Sequence, residues 1–455
     1  MEQKTVVLYP GLAVSHFMPM MHIAGALVEH GYAVSVTLID PGVKEDVVLC
    51  AVIRRVATSM PSSSGTSTSC GATTSASTAS FLRSSSTRIH AVVVDTVSNE
   101  AIHVVKGLGI PVYTMFPAGA ASLAAIAQVP TVLAEARARS TGPLGETRLE
   151  LFGLPPMPAS HLFGEMLEDP NTDMYKATMA MLCRIPEADG MLVNTFESLE
   201  ARAVAALKDP RCKPGKVLPP VYCVGPFVGS IGGNDAREPR QECLAWLDGQ
   251  PDHSVVFLCF GSIGVVNHSE EQLREIAVGL DRSGHRFLWV VRADPDLDSL
   301  LPDGFLQHTD GRGLIVKQWA PQVEVLRHRA TGAFVTHCGW NSVFESIQAG
   351  IPMLCWPLFA EQKMNKLFMV EDMRIGVEMV GWQDGLVKAT EVEGKIRLVM
   401  ESPEGRELRM RVAAYKEGVD AACNDGGSSR LAFSQFLADM DNLQDQTCGG
   451  AASGA

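Results

Sequence analysis

Val255-Val256-Phe257-Leu258-Cys259-Phe260 runs directly into Gly261-Ser262-Ile263-Gly264, and Glu270 to Leu280 then carries apolar residues at helical spacing. A continuous apolar run, closed by a glycine turn and followed by an amphipathic helix, predicts a strand buried on both faces and a helix that covers it. The unit recurs downstream, where Arg286 to Val291, Leu314 to Val316, Ala333 to Thr336 and Met353 to Trp356 read as further strands with helices between. It also fills the N-terminal half. Val6 to Tyr9 ends at Pro10-Gly11, Met18 to His30 is helix-spaced, and Ala33 to Ile39 is the next strand; Ala91 to Val94, Asn99 to Leu108 and Val112 to Phe116 continue the alternation. Strands alternating with helices imply a parallel sheet covered on both faces. Two such runs in one chain predict an α/β protein of two Rossmann-like domains facing a central cleft, since ligands gather at the carboxyl ends of the strands.

A length of 455 residues suits two large domains. The Pro/Gly-rich stretch from Pro214 to Pro239 reads as the break between them. The expected organisation is an N-terminal domain over 1–228, a linker over 229–240, a C-terminal domain over 241–427 and, over 428–455, a helix returning towards the N-terminal domain. Thr390 to Met400, Arg406 to Ala422 and Ser428 to Asp441 look helical, and Gln444 to Ala455 reads as a loose tail.

Composition narrows the function. Hydrophobic residues at 46% and charged residues at 20% are those of a globular chain. A formal net charge of −13 argues against nucleic acid or an anionic membrane as partner, because both select basic surfaces. The 11 cysteines show no metal-ligand spacing, so neither a disulfide framework nor a zinc site is expected. The start at Met1 lacks the basic and apolar regions of a secretory signal, and no apolar run is long enough to span a bilayer. A cytoplasmic, monomeric protein is expected.

One segment breaks the pattern. Thirteen of the twenty residues from Pro61 to Ser80 are Ser or Thr, a composition that usually means a disordered loop. Codons for Thr and Ser read two bases later encode Tyr, His, Asn, Asp and Phe, Leu, Ile, Val. A shifted frame across about Ser59 to Ser80 would therefore supply the amphipathic covering helix that the composition lacks.

The most informative stretch is Trp319-Ala320-Pro321-Gln322, then Thr336-His337-Cys338-Gly339-Trp340-Asn341-Ser342, Glu345, and Glu361-Gln362. His337 and Gly339 follow a strand and Asn341-Ser342 open a helix, so main-chain N–H groups and the positive helix end face the strand tip, where a pyrophosphate fits. Taken singly, Trp319 and Trp340 read as core, Asn341 or Ser342 as a helix cap, Glu345 as a solvated helix face, and Gly261-Ser262-Ile263-Gly264 as a common turn. Their joint occurrence over the 44 residues from Trp319 to Gln362 outweighs those readings. The stretch resembles the signature box of plant family 1 UDP-glycosyltransferases, and the resemblance covers nearly the whole chain.

That resemblance implies GT-B architecture, with an acceptor-binding N-terminal domain and a UDP-sugar-binding C-terminal domain. It implies that Trp319 stacks on uracil, Ala320 pairs with it through the main chain, and Gln322 and Glu345 hold the ribose. His337, Asn341 and Ser342 would meet the phosphates, with Ser262 touching them from the other side; Trp340, Glu361 and Gln362 would meet the sugar hydroxyls, and Gly339 belongs to the same donor-binding set. No cofactor and no metal are expected, since no Asp-x-Asp pair stands in a suitable place; UDP-glucose is the donor substrate and a small hydrophobic molecule the acceptor.

An acceptor hydroxyl must lose its proton as it attacks, and His is the usual base near neutral pH. His16 lies on the loop expected over Gly11 to Phe17, at the position of the family's catalytic His, although Ser15 precedes it where glycine is usual. Asp95 closes a strand of the same domain and matches the Asp that orients this base; a turn cap before Val97-Ser98-Asn99 is an equal reading from position alone. The expected activity is inverting O-glucosyl transfer to a phenolic, flavonoid-like acceptor. The alternative is a UDP-sugar-binding protein without transferase activity, motivated by the abnormal segment. A nicotinamide oxidoreductase is disfavoured, since no G-x-G-x-x-G follows Val6 to Tyr9 or Val255 to Phe260.

Overall fold

A computed structural model describes residues 3–11, 13–39, 68–71, 89–140, 142–227, 241–261, 268–291 and 300–452. The chain divides into two compact units. The first comprises Met1–Ser160, Gly164–Asn234 and Ala421–Ala455, and the second His161–Phe163 and Asp235–Asp420.

The first unit is built on a seven-stranded parallel sheet. Its strands are β1 (Thr5–Tyr9), β2 (Ala33–Ile39), β3 (Thr68–Gly71), β4 (Ile89–Asp95) and β5 (Val112–Phe116), then β8 (Gly190–Val193) and β9 (Val221–Cys223); β6 (Arg148–Leu149) and β7 (Met157–Pro158) form a separate antiparallel pair. The order is β3-β2-β1-β4-β5-β8-β9. Every residue of β4 is buried, because the period-2 alternation of a strand sends its side chains into two apolar layers rather than one. Val6, Leu8 and Val93 enter one core with Phe17, Met20, Ile23 and Leu27 of α1 (Val14–Glu29), while Val7, Tyr9, Val92 and Val94 enter another with Ile102 and Val105 of α2 (Ala101–Gly107). A longer helix, α3 (Ala120–Arg139), follows β5.

The C-terminal helix Ser428–Ala452 completes the first of these cores with Phe433, Phe436, Leu437 and Met440. Phe436 meets Tyr113 edge-on at 5.0 Å and Tyr222 at 5.6 Å, pairs that add about 0.5–1.5 kcal/mol each beyond area burial. The same helix is held by polar contacts. Asp441 accepts from Lys4 Nζ at 2.7 Å and Tyr32 Oη at 2.9 Å and lies 2.7 Å from His90 Nε2, and Asp439 accepts from Tyr222 Oη at 2.7 Å. Lys4, Tyr32 and His90 hold the Asp441 carboxyl below the usual carboxylate range, against the opposing effect of burial.

The second unit carries six parallel strands: β10 (Val255–Cys259), β11 (Arg286–Val291), β12 (Gly313–Lys317), β13 (Thr331–Thr336), β14 (Met353–Cys355) and β15 (Gly376–Glu378). Their order, β12-β11-β10-β13-β14-β15, is that of a Rossmann sheet, and it reverses direction between β10 and β13. Val256, Leu258, Val335 and Leu354 pack against Ile276, Ala277 and Leu280 of α4 (Glu270–Ser283). Ser269 caps α4 by accepting from Gln272 N, and Gly284 ends it at φ 71°, the left-handed terminus that glycine adopts without penalty.

Four expectations need correction. Helix α1 begins at Val14 and takes Pro19 into its interior, so His16 stands on a helical first turn and not on a loop; a proline this near a helix start forgoes one hydrogen bond without ending the helix. The Pro214 to Pro239 stretch contains β9, whose apolar Val221-Tyr222-Cys223 reaches the sheet edge before 228–240, which lie outside the described residues. Of the tail expected over Gln444 to Ala455, the part to Ala452 continues the helix, with Gln444 still buried, and 453–455 lie outside the described residues. Within the Ser/Thr-rich run, Thr68–Gly71 is neither a disordered loop nor part of a helix, but an edge strand paired in parallel with Val36 to Ile39. Thr suits strands, and an edge strand must pair on one side only. The rest of Ser59 to Ser80 lies outside the described residues.

Candidate functional site

In the first unit the sheet reverses between β1 and β4, and the carboxyl ends of those two strands bring His16 and Asp95 together. Parallel register sets Tyr9 opposite Val94, so the helix leaving β1 starts beside the last residue of β4. His16 Nδ1 lies 3.0 Å from Oδ1 and 3.0 Å from Oδ2 of the fully buried Asp95. A carboxylate accepting at Nδ1 fixes the proton there and leaves Nε2 as the basic nitrogen. Asp95 Oδ1 also accepts from Val97 N at 2.9 Å, capping the turn Thr96–Ser98. Asp95 therefore caps this turn and pairs with His16 at once. A side chain at Gly11 would press to 3.2 Å on Asp95, His16 and Val97 alike, which explains a glycine at the strand exit.

In the second unit the corresponding reversal lies between β10 and β13. Helix α5 (Gln322–Arg327) follows Trp319 and Ala320, and α6 (Trp340–Ala349) follows His337-Cys338-Gly339. Gly339 is the N-cap of α6 and offers no side chain to its first-turn amides, the arrangement that receives anions at helix ends. His337 sits between two glycines: a Cβ at Gly339 would lie 2.4 Å from its Nε2, and one at Gly261 2.7 Å from it. Neither site would admit a side chain with the imidazole where it is. Ser262 and the rest of 262–267 lie outside the described residues.

Gln322, Ser342 and Glu345 form one polar cluster. Gln322 Nε2 donates to Ser342 Oγ at 2.8 Å and to Glu345 Oε2 at 2.6 Å. Glu345 keeps some accessible surface, yet protein crowds its carboxyl enough that burial raises its pKa to about 7 despite the Gln322 hydrogen bond. Nearby, Trp319 is 56% exposed while Ala320 is buried. A large exposed indole is unusual for a core residue, so the core reading fails for Trp319.

It succeeds for Trp340, whose indole is buried edge-on against Phe344 at 5.1 Å. Glu361 is the N-cap of α7 (Gln362–Leu367) and partly exposed. Gln362 is buried, and its Oε1 accepts from Leu358 N at 2.9 Å and Phe359 N at 3.0 Å, which leaves the amide nitrogen as the end that can serve a ligand. Asn341 opens α6 and is partly exposed. Among the described residues no group of three or more His, Cys, Asp or Glu side chains is placed to hold a metal ion, and no helix is long and apolar enough to cross a membrane.

Comparison with known proteins identifies the family. The family model described as UDP-glucoronosyl and UDP-glucosyl transferase matches residues 213–415. An anthocyanidin 5,3-O-glucosyltransferase of a Rosa hybrid cultivar is 41% identical over 351 residues, covering 75% of this chain and 72% of that one. UDP-glycosyltransferase 13 of Pueraria montana var. lobata is 38% identical over 456 residues, covering 95% and 98%. The structure of UGT2 from Phytolacca americana, complexed with UDP-2fluoro-glucose and pterostilbene, superposes with a TM-score of 0.83 at 30% identity, over 96% of this chain and 99% of the other. With its two Rossmann-like units and the stretch from Trp319 to Gln362 on the second, the chain belongs to the UDP-glucoronosyl and UDP-glucosyl transferase family, as a plant family 1 UDP-glycosyltransferase of GT-B architecture.

Proposed function

We propose that this enzyme transfers glucose from UDP-glucose, with inversion at the anomeric carbon, to a hydroxyl of a small phenolic acceptor of the flavonoid class. The observation that carries the reading is the His16–Asp95 pair at 3.0 Å. As the acceptor oxygen forms its bond to the anomeric carbon, its proton passes to His16 Nε2, and the buried Asp95 carboxylate stabilises the imidazolium. The bond from that carbon to the diphosphate oxygen breaks on the opposite face, and UDP leaves. Charge on the leaving group is met by the first-turn amides of α6 with His337, Asn341, Ser342 and Ser262, which need no metal for this step. Trp319 stacks on the uracil, Ala320 pairs with it through the main chain, and Gln322 with Glu345 accepts the ribose hydroxyls. Glu361, the Gln362 amide nitrogen and the Trp340 main chain serve the sugar.

The acceptor class rests on what relatives are named for: an anthocyanidin in one case, and in another a complex with pterostilbene. The cytosol and a monomeric state suit a protein of net charge −13 whose described cysteines are free thiols. Binding of UDP-sugar without transfer is the weaker reading, because the contact of His16 with the buried Asp95 supports a base. The test is a panel of flavonoid, chalcone and stilbene phenols incubated with UDP-glucose, with glycosides read by mass. UDP binding without product from any phenol would reject the proposal.

A further inference from the structure

The loop between β13 and α6 depends on a residue outside the donor box. Cys338 is fully buried and adopts φ 65°, a left-handed conformation that non-glycine residues rarely take and that requires support from their surroundings. Two main-chain contacts contribute, beside the Cys338 Sγ contact to Thr336 O at 3.6 Å. Cys338 N donates to Thr336 Oγ1 at 3.3 Å, and Cys338 O accepts from Asn365 Nδ2 at 2.9 Å. Asn365 is fully buried on α7, between Met364 and Lys366, and its own N donates to Glu361 O at 2.9 Å, so the amide is carried on a packed helix.

From this geometry we infer that Asn365 is a positioning residue of the donor site, acting through the 338–339 peptide. In a trans peptide the carbonyl and the following N–H point in opposite directions. Anchoring Cys338 O on Asn365 therefore turns Gly339 N–H away from α7 and fixes where α6 begins. It also fixes the Gly339 backbone against the His337 ring, where a single added carbon would lie 2.4 Å from Nε2. Without the anchor Cys338 relaxes to negative φ, the peptide turns, and both the imidazole and the first-turn amides lose their common aim. The inference rests on the reading of this strand end as the diphosphate site.

The experiment measures UDP binding by calorimetry, and KM for UDP-glucose and for the phenol separately, in the full chain. Asn365→Asp keeps the size but replaces the donor with a group that repels the carbonyl; Asn365→Ala removes it. Both are expected to weaken UDP binding tenfold or more and to raise KM for UDP-glucose, with KM for the phenol within twofold of wild type. Adding Cys338→Gly to the Asn365→Ala chain should recover at least threefold of the lost affinity, since glycine adopts the left-handed conformation without an anchor. A residue that merely filled space would not be rescued in this way. If the Ala variant does not fold, the same rescue is read on Asn365→Asp. Wild-type affinity in a folded Asn365→Asp chain, or no recovery on adding Cys338→Gly, overturns the inference. Failure of the wild-type protein to bind UDP would instead reject the site reading beneath it.

Discussion

Replacing Glu345 with Gln should stabilise the second unit at alkaline pH while weakening nucleotide binding. Burial raises the Glu345 pKa from the ordinary 4.5 to about 7. Between those values the folded protein holds a proton that the unfolded chain releases, so stability falls as pH rises through this window and stays low above it. The shift is about 2.5 units, and at ~1.36 kcal/mol per unit it destabilises the folded state by about 3 kcal/mol at pH 8, an upper figure because the residue keeps some accessible surface. Gln has the same shape and no charge, and its Oε1 can still accept from Gln322 Nε2. Its extra N–H groups need partners that the carboxyl did not, a cost of about 1–3 kcal/mol. The variant should therefore be less stable than wild type at pH 5 and equal or more stable at pH 8. Part of the wild-type loss is already present at pH 5, so at ~2–4 °C per kcal/mol for a unit of this size the difference in Tm should move by about 5–10 °C in the variant's favour from pH 5 to pH 8. Calorimetric scans at four pH values, with the transition of the second unit resolved, read this directly. A Tm difference independent of pH would refute the buried, proton-holding carboxyl.

Other perturbations separate the roles of the two units. His16→Ala should reduce transfer about a hundredfold or more while UDP affinity, measured by calorimetry, stays within twofold; an active variant would remove His16 as the base. Gly339→Ala should weaken UDP binding tenfold or more, because the new carbon falls 2.4 Å from His337 Nε2; wild-type affinity would show that the clash is absorbed without moving the imidazole. Trp319→Ala removes a side chain that is 56% exposed, so thermal stability should change by less than ~0.5 kcal/mol, whereas UDP affinity should drop by about 1–3 kcal/mol if the indole stacks on the base. With UDP-glucose and UDP-galactose at equal concentration, glucoside should predominate, a reading that rests on Gln362 and that excess galactoside would contradict.

Much of this was legible because buried parallel strands write themselves as unbroken apolar runs: Val255 to Cys259 and Arg286 to Val291 lie in the structure where the sequence puts strands. Helix α3 was not legible, and its first ten residues show why: all of Ala120 to Val129 are buried. A helix covered on every side has no polar face, and so lacks the periodicity by which helices are recognised. The candidate donor residues from Trp319 to Gln362 stand out by their spacing within one short stretch. His16 and Asp95 are 79 positions apart, and only the pairing of β1 with β4 makes them neighbours. The left-handed turn at Cys338 and its anchor at Asn365 left no trace in local sequence, since nothing in Thr-His-Cys-Gly requires positive φ at the cysteine.

The C-terminal helix has a consequence for the order in which this protein is made. Its aromatic residues complete a core that begins with Val6 and Leu8, so a segment synthesised after the whole of the second unit is needed by the first. The second unit, drawn almost wholly from the uninterrupted stretch Asp235–Asp420, has no such wait. Domains commonly fold in the order of their synthesis; here the second unit can be finished while the first still exposes the apolar face of its sheet. A chain ending at Gly427 would therefore keep the whole of Asp235–Asp420 while offering the open apolar face of the first unit to chaperones, and a deletion within 428–452 would strike the residues farthest from it in sequence.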